Sequence, residues 1–294
     1  GFIGSSIKKY YLKRNFKIYE FESKKVIING KVIINGKINS KKLSKLIEIE
    51  YYPNIIIFLA GTSTVNESEQ NHEKSYEKNI LSMIPFLEAL KNKRKIRFVV
   101  LSSAAVYGNK DKAINESSKI APISIYGFHK YLLEEILKFY KLKYGLKINI
   151  LRAFSVYGEG MKKQLLWDIC NKLSNGKKIE IRGTGHEVRD FIHISDLIKI
   201  INLVATTKKD IKDHYNVGSG KPTQIKEIVK LLSSYLNLDE KVSIYYNAKS
   251  NKSDPSKLYA NISLLRNIYK AKLLPLNNGV ENYVRWFKKE IQKK

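Results

Sequence analysis

Tyr126 and Lys130 have the types and the spacing of a proton-transfer pair. The lysine follows the tyrosine by four residues in Tyr126-Gly127-Phe128-His129-Lys130, and in a helix these two positions share one face. A free tyrosine has a pKa near ~10, so ionising it at neutral pH requires a shift of about 3 units, or roughly 4 kcal/mol. A neighbouring ammonium supplies such a shift by stabilising the phenolate. The phenolate could then remove a hydroxyl proton while hydride leaves the same carbon.

Paired serines stand where this chemistry would need a further group. Residues 96–101 have the pattern of a buried strand, and Ser102 and Ser103 follow it directly. The carboxyl ends of strands are where an open α/β sheet places its ligands. A serine there could donate to a substrate oxygen, although paired serines also serve in turns and caps. We therefore predict that Ser103, Tyr126 and Lys130 are catalytic, and that Ser103 and Tyr126 contact the substrate.

A glycine-rich turn opens the chain and could hold a phosphate. Gly1-Phe2-Ile3-Gly4 precedes an amphipathic helix predicted at residues 5–13. Glycines at such a point let backbone N–H groups at the helix amino terminus approach a pyrophosphate. A doubly wound nucleotide fold normally opens with a strand that feeds this turn. We therefore expect that a first strand of about 5–6 residues is missing before Gly1.

Glu22 is the residue expected to select the cofactor. It lies 18 residues after the glycine-rich turn, at the end of a strand predicted at residues 16–21. A carboxylate in this position accepts hydrogen bonds from an adenosine ribose and repels a 2′-phosphate. NAD is therefore the expected cofactor, and NADP stays open because Lys24 and Lys25 lie close by. Glu20 is an alternative for the same role.

Short apolar runs alternate with helical patterns in the first half of the chain. Strand patterns occupy residues 16–21, 54–59, 96–101 and 148–151, and helical patterns occupy residues 5–13, 78–91 and 126–144. This alternation favours right-handed crossovers and a parallel sheet covered by helices on both faces. We expect an α/β fold, a Rossmann-type doubly wound parallel sheet. Residues 26–39 repeat Ile-Ile-Asn-Gly, which favours a short hairpin or a local slip.

The pattern changes near Tyr157. Single helices and short loops follow, with turn signals at residues 182–185 and 218–220. We expect a cofactor-binding Rossmann domain over residues 1–156 and a smaller, interleaved substrate-binding domain mainly over residues 157–294. The segment near residues 186–204 again has a strand-then-helix pattern and is predicted to return to the first domain.

Composition and charge limit the partners that this chain could have. The 294 residues carry 54 Lys and Arg against 27 Asp and Glu, a net charge of +27. Only 8 of the basic residues are Arg, the side chain suited to bidentate phosphate recognition, so a nucleic-acid partner is not favoured. No run approaches the ~20 apolar residues of a membrane span. A single cysteine, Cys170, favours a cytoplasmic location, and five scattered histidines form no metal-ligand cluster.

Seven segments, in this order, resemble the NAD-dependent epimerase/dehydratase family of the extended short-chain dehydrogenases/reductases, and within it the UDP-glucose 4-epimerases. The segments are residues 1–4, residues 59–61, Asn79, the Ser103/Tyr126/Lys130 set, and residues 151–158, 183–196 and 215–220. The resemblance implies epimerisation at C4 of a nucleotide-linked sugar through a 4-keto intermediate. It also implies a homodimer that pairs helices near residues 80–91 and 126–144.

The resemblance assigns residues to each ligand. The cofactor-binding residues that it implies are Gly1, Phe2, Ile3, Gly4, Glu22, Ile38, Leu59, Ala60, Gly61, Asn79, Tyr126, Lys130 and Phe154. The substrate-binding residues that it implies are Ser103, Tyr126, Ser155 and Arg189. No metal ligand is among them.

Several positions depart from the family pattern. Ala104 and Ala105 stand where the 4,6-dehydratases carry an Asp-Glu pair, so a dehydratase is not expected. Lys37 replaces an acidic residue of the adenine pocket, which leaves the backbone of Ile38 for that contact. An asparagine and an arginine that hold the nucleotide in the epimerases are also replaced. The candidates for the missing charge are Lys163, Lys249 and Lys252.

Two alternative functions stay open. A 4-keto-sugar-nucleotide reductase with dissociable NAD(P)H would use the same Ser-Tyr-Lys set, so only Glu22 bears on the choice. A non-catalytic scaffold that binds a dinucleotide or a polyanion would account for the positive charge. A scaffold of that kind has no need of Ser103, Tyr126 and Lys130 together, which favours an enzyme.

Overall fold

The structure, a computed structural model, describes residues 1–22, 25–28, 31–35, 54–62, 64–176, 178–238, 242–249 and 252–292. The α-helices are α1 Phe2–Leu12, α2 Val65–Gln70, α3 His72–Tyr76, α4 Ile84–Leu90, α5 Ile125–Tyr144, α6 Gln164–Asn175, α7 Ile194–Thr206, α8 Ile225–Leu236, α9 Ser263–Ile268 and α10 Leu276–Ile291. A π-helix covers Glu77–Leu81 and a 3-10 helix covers Ala104–Tyr107. The strands are β1 Tyr19–Glu22, β2 Lys25–Ile28, β3 Lys31–Asn35, β4 Ile55–Phe58, β5 Arg97–Ser103, β6 Lys147–Ala153, β7 Ser155–Tyr157, β8 Lys178–Ile181, β9 Val188–His193, β10 His214–Val217, β11 Pro222–Gln224, β12 Ser243–Tyr246 and β13 Lys257–Leu258.

The central sheet is parallel, in the order β10-β6-β5-β4. Its strands are short apolar runs because both faces are covered, as is usual for parallel sheets. Alternate residues of β5 point to opposite sides: Val99 packs with α1 and α7, whereas Phe98 and Val100 pack with α4 and α5. The predicted doubly wound α/β fold is confirmed. All four strands run in the same direction, so their carboxyl ends meet at one edge.

The prediction that residues 16–21 form a strand of the parallel sheet was wrong. The structure puts β1 at Tyr19–Glu22 in a separate antiparallel sheet with β2 and β3. Glu22 is in register with Lys25, so two residues join these strands. A connection this short permits only antiparallel pairing, because a parallel crossover needs a dozen or more residues. The hairpin expected within residues 26–39 corresponds to β2 and β3.

The helix predicted at residues 78–91 was wrong as one continuous element. It is divided into the π-helix Glu77–Leu81 and α4, with Ser82 and Met83 between them. Pro85 lies in the first turn of α4. Proline is well placed there because the first amides of a helix have no internal partner, and further inside it would remove a hydrogen bond. The periodic spacing of apolar residues continues across the break, whereas the α-helical backbone is interrupted there.

The carboxyl-terminal half adds a second core around α6, α8 and α10. Leu166 and Cys170 of α6 pack there with Leu232 of α8 and Phe287 of α10. Strand β9 pairs with β7, β11 and β13 in a small sheet beside it. Helix α7 instead packs into the cluster that covers the central sheet. The domain boundary between residues 156 and 157 stays a prediction. Within the described ranges, no helix combines the length and the apolar character that crossing a membrane requires.

Candidate active site

Ser103 is the last residue of β5, at the carboxyl edge of the central sheet. Its side-chain oxygen accepts a hydrogen bond of 3.2 Å from the Ala105 amide and so caps the 3-10 helix that follows. This is the capping role expected of a serine at such a turn. The hydroxyl keeps its proton for a further partner, and it is half-buried at the wall of a large cleft.

The first turn of α5 brings Tyr126 to Ser103. Ser124 caps this helix by accepting a 3.0 Å hydrogen bond from the Gly127 amide. Gly127 packs against the turn after β5: a β-carbon at this position would lie 2.4 Å from the carbonyl oxygen of Ala105. Only a residue without a side chain permits this approach. The result is that Ser103 lies close enough to Tyr126 to affect the tyrosine pKa.

Burial raises the pKa of Tyr126 above its ordinary value, and the hydrogen bond from Ser103 opposes that rise. A desolvated phenol disfavours its charged form. The phenolate therefore needs a positive charge nearby to be populated at neutral pH.

Lys130 provides that charge from one helical turn further along α5. Its Nζ lies 5.8 Å from the centre of the Tyr126 ring and donates a long hydrogen bond of 3.5 Å to the carbonyl oxygen of Leu101. The residue is only 4% exposed. Burial lowers its pKa to about 8, and the carboxylate of Glu134 opposes the decrease. At neutral pH the lysine is still mostly protonated.

Gly61 and Asn79 form the wall on the other side of Lys130. Gly61 follows β4 and has a φ of +140°; a β-carbon on it would lie 2.6 Å from Asn79 Oδ1 and 3.1 Å from Lys130 Nζ. Asn79 belongs to the π-helix, an irregularity that often marks functional sites. Its Nδ2 donates to Thr62 Oγ1 and to the Ser75 carbonyl, each at 2.8 Å. Its Oδ1 is buried without a hydrogen-bond partner.

A chain of buried hydroxyl groups supports Asn79. Ser68 Oγ lies 2.9 Å from Thr62 Oγ1 and accepts a hydrogen bond of 2.9 Å from Ser75 Oγ. Ser75 in turn lies 2.9 Å from His129 Nδ1. Burial, and then His72, lowers the pKa of His129. Sequence reasoning missed these hydroxyl groups because Ser and Thr at such positions have no distinctive spacing.

The cleft has a volume of about 2410 Å³ and runs from the start of α1 to the loops around β9. Most of the predicted site residues line it. These are Gly1, Phe2, Ile3, Gly4, Leu59, Ala60, Gly61, Ser103, Tyr126, Lys130, Phe154, Ser155 and Arg189. Asn79 is fully buried behind Gly61. The side chain of Glu22, like that of Glu20, lies outside the described part of the structure, as do Lys37 and Ile38.

The walls of the cleft are strongly basic. Among the described lining residues, ten are Lys or Arg and three are Asp or Glu. The basic residues are Lys8, Lys17, Lys78, Lys130, Lys162, Lys163, Arg182, Arg189, Lys249 and Lys252. Concave walls of one sign concentrate the field and favour ligands of the opposite charge. The three lysines put forward for a missing charge, at 163, 249 and 252, are in this group.

Arg189 lies on β9 and lines the cleft. Its Nη2 donates to Asp254 Oδ1 at 2.6 Å, and its Nη1 donates to its neighbour's carbonyl, that of Val188, at 2.8 Å. The arginine side chain is 11% exposed and that of Asp254 is 53% exposed. The guanidinium is thus fixed at the wall. Sequence reasoning did not identify Asp254, because an exposed aspartate in a loop carries no signal of its own.

The cleft fits a dinucleotide at its α1 end. Helix α1 begins after Gly1 with no side-chain cap, so its first amides have no intrahelical partner. Amides of this kind are the donors that a phosphate binds at a helix amino terminus. The unpartnered Asn79 Oδ1 beside Gly61 offers an acceptor further along. Within the described residues, no group of three or more His, Cys, Asp or Glu side chains could hold a metal ion.

Comparisons with known proteins agree with this geometry. A family model described as the NAD dependent epimerase/dehydratase family matches residues 1–218. The UDP-glucuronate 4-epimerase of Thermodesulfobacterium geofontis is 26% identical, over 95% of this chain and 81% of that protein. The dTDP-4-dehydro-6-deoxyglucose reductase of Escherichia coli is 30% identical, over 68% of this chain and 65% of that protein.

Among solved structures, the chain is similar to UDP-glucuronic acid 4-epimerase from Bacillus cereus in complex with UDP-glucuronic acid and NAD. The TM-score is 0.78 and the sequence identity is 26%. The match covers 84% of this chain and 78% of that one. The chain therefore has a relative of known structure with a similar fold.

Proposed function

The chain belongs to the NAD-dependent epimerase/dehydratase family, and from this we propose that it inverts C4 of a nucleotide-linked sugar through a 4-keto intermediate, with NAD as its cofactor. One observation carries the proposal. Ser103, Tyr126 and Lys130 all line one cleft of about 2410 Å³, and Lys130 Nζ lies 5.8 Å from the centre of the tyrosine ring. This is the arrangement that proton abstraction from a sugar hydroxyl requires.

The three residues have distinct roles in this proposal. NAD, when bound, supplies an acceptor that takes the C4 hydride and later returns it. Tyr126, as phenolate, removes the proton of the C4 hydroxyl, and Ser103 donates a hydrogen bond to the same oxygen. Lys130 holds the phenolate ionised with its positive charge. In the return step Tyr126 gives the proton back after the 4-keto sugar has turned over, so no net oxidation results.

The electrostatics of the cleft support a doubly anionic nucleotide sugar as the substrate. A nucleoside diphosphate carries its charge in the middle of the molecule. Arg189 and Lys249 line the cleft. Arginine binds phosphate oxygens through two parallel hydrogen bonds. We place the diphosphate at Arg189, where it would compete with Asp254, and the sugar between Ser103 and Ser155.

A 4-keto-sugar-nucleotide reductase is the second candidate. The similarity to the Escherichia coli dTDP-4-dehydro-6-deoxyglucose reductase favours it, and the same Ser103, Tyr126 and Lys130 would protonate a carbonyl oxygen. A dehydratase is disfavoured because Ala104 and Ala105 have no proton to transfer at the positions where elimination needs acid and base groups.

A homodimer completes the proposal. Helix α5 exposes Phe128, Phe139 and Leu142, with exposures of 45%, 58% and 77%. These positions are 11 and 3 residues apart, which places them on one face of the helix. Large apolar side chains exposed on one side of a helix are a feature of interaction surfaces. A second copy of this chain, presenting the same face, is the partner that we propose.

The surroundings of Cys170 favour a cytoplasmic location, which we also propose. The thiol is buried, and burial raises its pKa to about 12, so it stays protonated and unreactive. With one cysteine in the sequence, the fold depends on no internal disulfide. A reducing compartment suits such a protein.

The test is a substrate panel without added cofactor. The protein is incubated with UDP-glucose, UDP-N-acetylglucosamine, UDP-glucuronic acid and dTDP-glucose, and the sugar signals are followed by NMR with absorbance at the reduced-nicotinamide band. We expect a C4 epimer, with no net change in cofactor, that is lost in Tyr126→Phe. Product formed only from a 4-keto sugar with added NAD(P)H would identify the reductase instead. If no product forms in either assay, both proposed enzyme activities are contradicted.

A further inference from the structure

A buried ion pair lies directly behind Lys130. Glu134 follows Lys130 by four residues on α5 and pairs with Arg152 of β6. Arg152 Nη2 donates to Glu134 Oε2 at 2.6 Å, and its Nε lies 3.1 Å from both carboxylate oxygens. The side chain of Arg152 is 8% exposed and that of Glu134 is 5% exposed. This carboxylate is far from solvent and close to the residues of the proposed chemistry.

Glu134 also fixes the end of β5. Ser102 Oγ donates to Glu134 Oε1 at 2.5 Å. Ser102 stands between Leu101, whose carbonyl oxygen accepts from Lys130, and Ser103. Tyr126, Lys130 and Glu134 are four residues apart, so all three share the face of α5 that looks toward β5. One carboxylate therefore connects the strand end to the helix face that carries the lysine.

The network continues away from the cleft and is fully paired. Arg152 Nη1 donates to the Tyr107 hydroxyl at 2.6 Å, and Tyr107 donates to Asn216 Oδ1 at 2.8 Å. Asn216 Nδ2 donates to the Ile114 carbonyl at 2.9 Å. A buried ion pair generally gives no more stability than apolar residues of the same volume. Stability is thus a weak reason for a carboxylate at this depth.

The charged and titratable groups that face Lys130 are few. From its own helix they are Tyr126 and Glu134, and Arg152 stands behind the carboxylate on β6. From the π-helix, Asn79 approaches with a neutral amide. Glu134 is the single described carboxylate that acts on the lysine, and it opposes the effect of burial on the lysine pKa.

We propose that Glu134 is a positioning residue that keeps Lys130 protonated and directed at Tyr126. The inference rests on the proposed function, since it assumes that the lysine cation supports a tyrosine base. Arg152 and Ser102 hold the carboxylate in place. Without the negative charge, burial and the uncompensated Arg152 would both act to deprotonate the lysine. The phenolate would then lose its counterion at a lower pH than in the native enzyme.

The primary experiment is the pH profile of kcat for Glu134→Gln. Its matched control is Glu135→Gln, which changes the adjacent, exposed carboxylate of the same helix. We expect the alkaline limb of the Glu134→Gln profile to move toward acid by about one pH unit, so that activity above the limb falls about tenfold. The KM for the sugar should stay unchanged. A uniform loss of kcat with the limb in its native position would overturn the proposal and leave Glu134 a structural residue.

Two further variants keep the inference testable if Glu134→Gln does not fold. Glu134→Leu combined with Arg152→Met removes both charges together, which a buried pair tolerates better than the loss of one partner. Its alkaline limb should fall between those of the native protein and Glu134→Gln, because attraction and repulsion at Lys130 are both gone. Glu134→Asp, which keeps the charge, should restore most of the native profile. Identical limbs in all of these proteins would refute the inference.

A readout without substrate separates this inference from the proposed function. The pH dependence of Lys130 acylation by acetic anhydride, read by mass spectrometry, reports the lysine directly. A midpoint that moves to lower pH in Glu134→Gln, in a protein that converts no nucleotide sugar, would support the role of Glu134 and sink the epimerase. A midpoint that stays in place while the sugar is converted would do the reverse.

Discussion

Gly127 lies against Ala105 so closely that a β-carbon on the glycine would stand 2.4 Å from the alanine carbonyl oxygen. This backbone contact seats the first turn of α5 on the turn after β5. The proposed base, Tyr126, precedes the glycine, and Ser103 precedes the turn. The distance between the two helps to set the geometry of the chemistry.

Gly127→Ala should therefore reduce both turnover and stability. The added methyl group must push α5 away from the backbone of Ala105, which separates Tyr126 from Ser103. We expect kcat to fall by about tenfold or more, with an overpacking cost of about 1–3 kcal/mol in the free energy of unfolding. Steady-state kinetics and urea denaturation measure the two effects. Glu135→Ala, on the exposed face of the same helix, is the control, and a Gly127→Ala enzyme as fast as that control would contradict the argument.

Lys130→Met should make the protein more stable and inactive. Burial lowers the lysine pKa from 10.5 to about 8, so the unfolded chain holds this proton more tightly than the folded one. The resulting penalty, about 3 kcal/mol, is fully present below pH 8 and disappears as the pH rises toward 10.5. Thermal unfolding should thus show the variant above the native protein at pH 7, with the gap closing at high pH. A gap that does not depend on pH would mean that the lysine charge is not its cause.

The same pKa gives a prediction for the native enzyme. Lys130 must be protonated to hold the phenolate, and its pKa in the structure is about 8. In the free enzyme, kcat/KM should decline as the pH rises through that value, because the lysine loses its proton. Initial rates between pH 6 and about 10 at constant ionic strength measure this limb. A profile that keeps rising through this range would show that the lysine charge is not required.

Arg189→Ala should weaken substrate binding and leave chemistry nearly intact. The guanidinium lies at the cleft wall and pairs with Asp254. A contact to the diphosphate is made equally in the ground state and the transition state, so its loss raises KM. We expect a rise of about tenfold or more, with kcat changed by less than about threefold. Arg285→Ala, whose side chain is 70% exposed on α10, is the control. A large loss of kcat at unchanged KM would place Arg189 elsewhere in the mechanism.

Leu142→Glu should convert a dimer into a monomer. The leucine is 77% exposed on the apolar face of α5, and a carboxylate buried between two copies would be desolvated without a partner. Sedimentation velocity of both proteins at equal concentration measures the change. Leu12→Glu, which changes an exposed leucine of α1, is the control. A native protein that sediments as a monomer would contradict the proposed dimer outright.

The sequence predicts the strands of the central sheet well, and it predicts β1 and the helix ends poorly. β4, β5 and β6 each have an apolar centre, and such centres are typical of a sheet that is covered on both faces. β1 instead alternates aromatic and acidic residues, Tyr19-Glu20-Phe21-Glu22, and a two-residue connection commits it to β2. The break between the π-helix and α4 was visible in one residue, Pro85, whose position in a first turn outweighs the periodicity around it.

The residues of the candidate site also divide into those that the sequence reveals and those that it does not. Spacing indicated Tyr126 and Lys130, since two residues four apart share a helix face wherever the helix lies. Ser75 and Asp254 could not be found, because their partners are far away in the sequence. Arg152 did offer a signal: a charged residue inside the apolar run of β6 needs a buried partner, and that partner is Glu134. The roles of these residues stay predictions until they are measured.

Helix α5 extends over 20 residues, about 30 Å, with Tyr126 in its first turn and Leu142 in its last. It is capped at one end by Ser124 and ended at the other by Gly145 in the left-handed conformation. In the dimer that we propose, a partner chain packed on the last turn would also bear on the angle at which the first turn meets Ser103. Leu142→Glu would then lower kcat and leave cofactor binding unchanged.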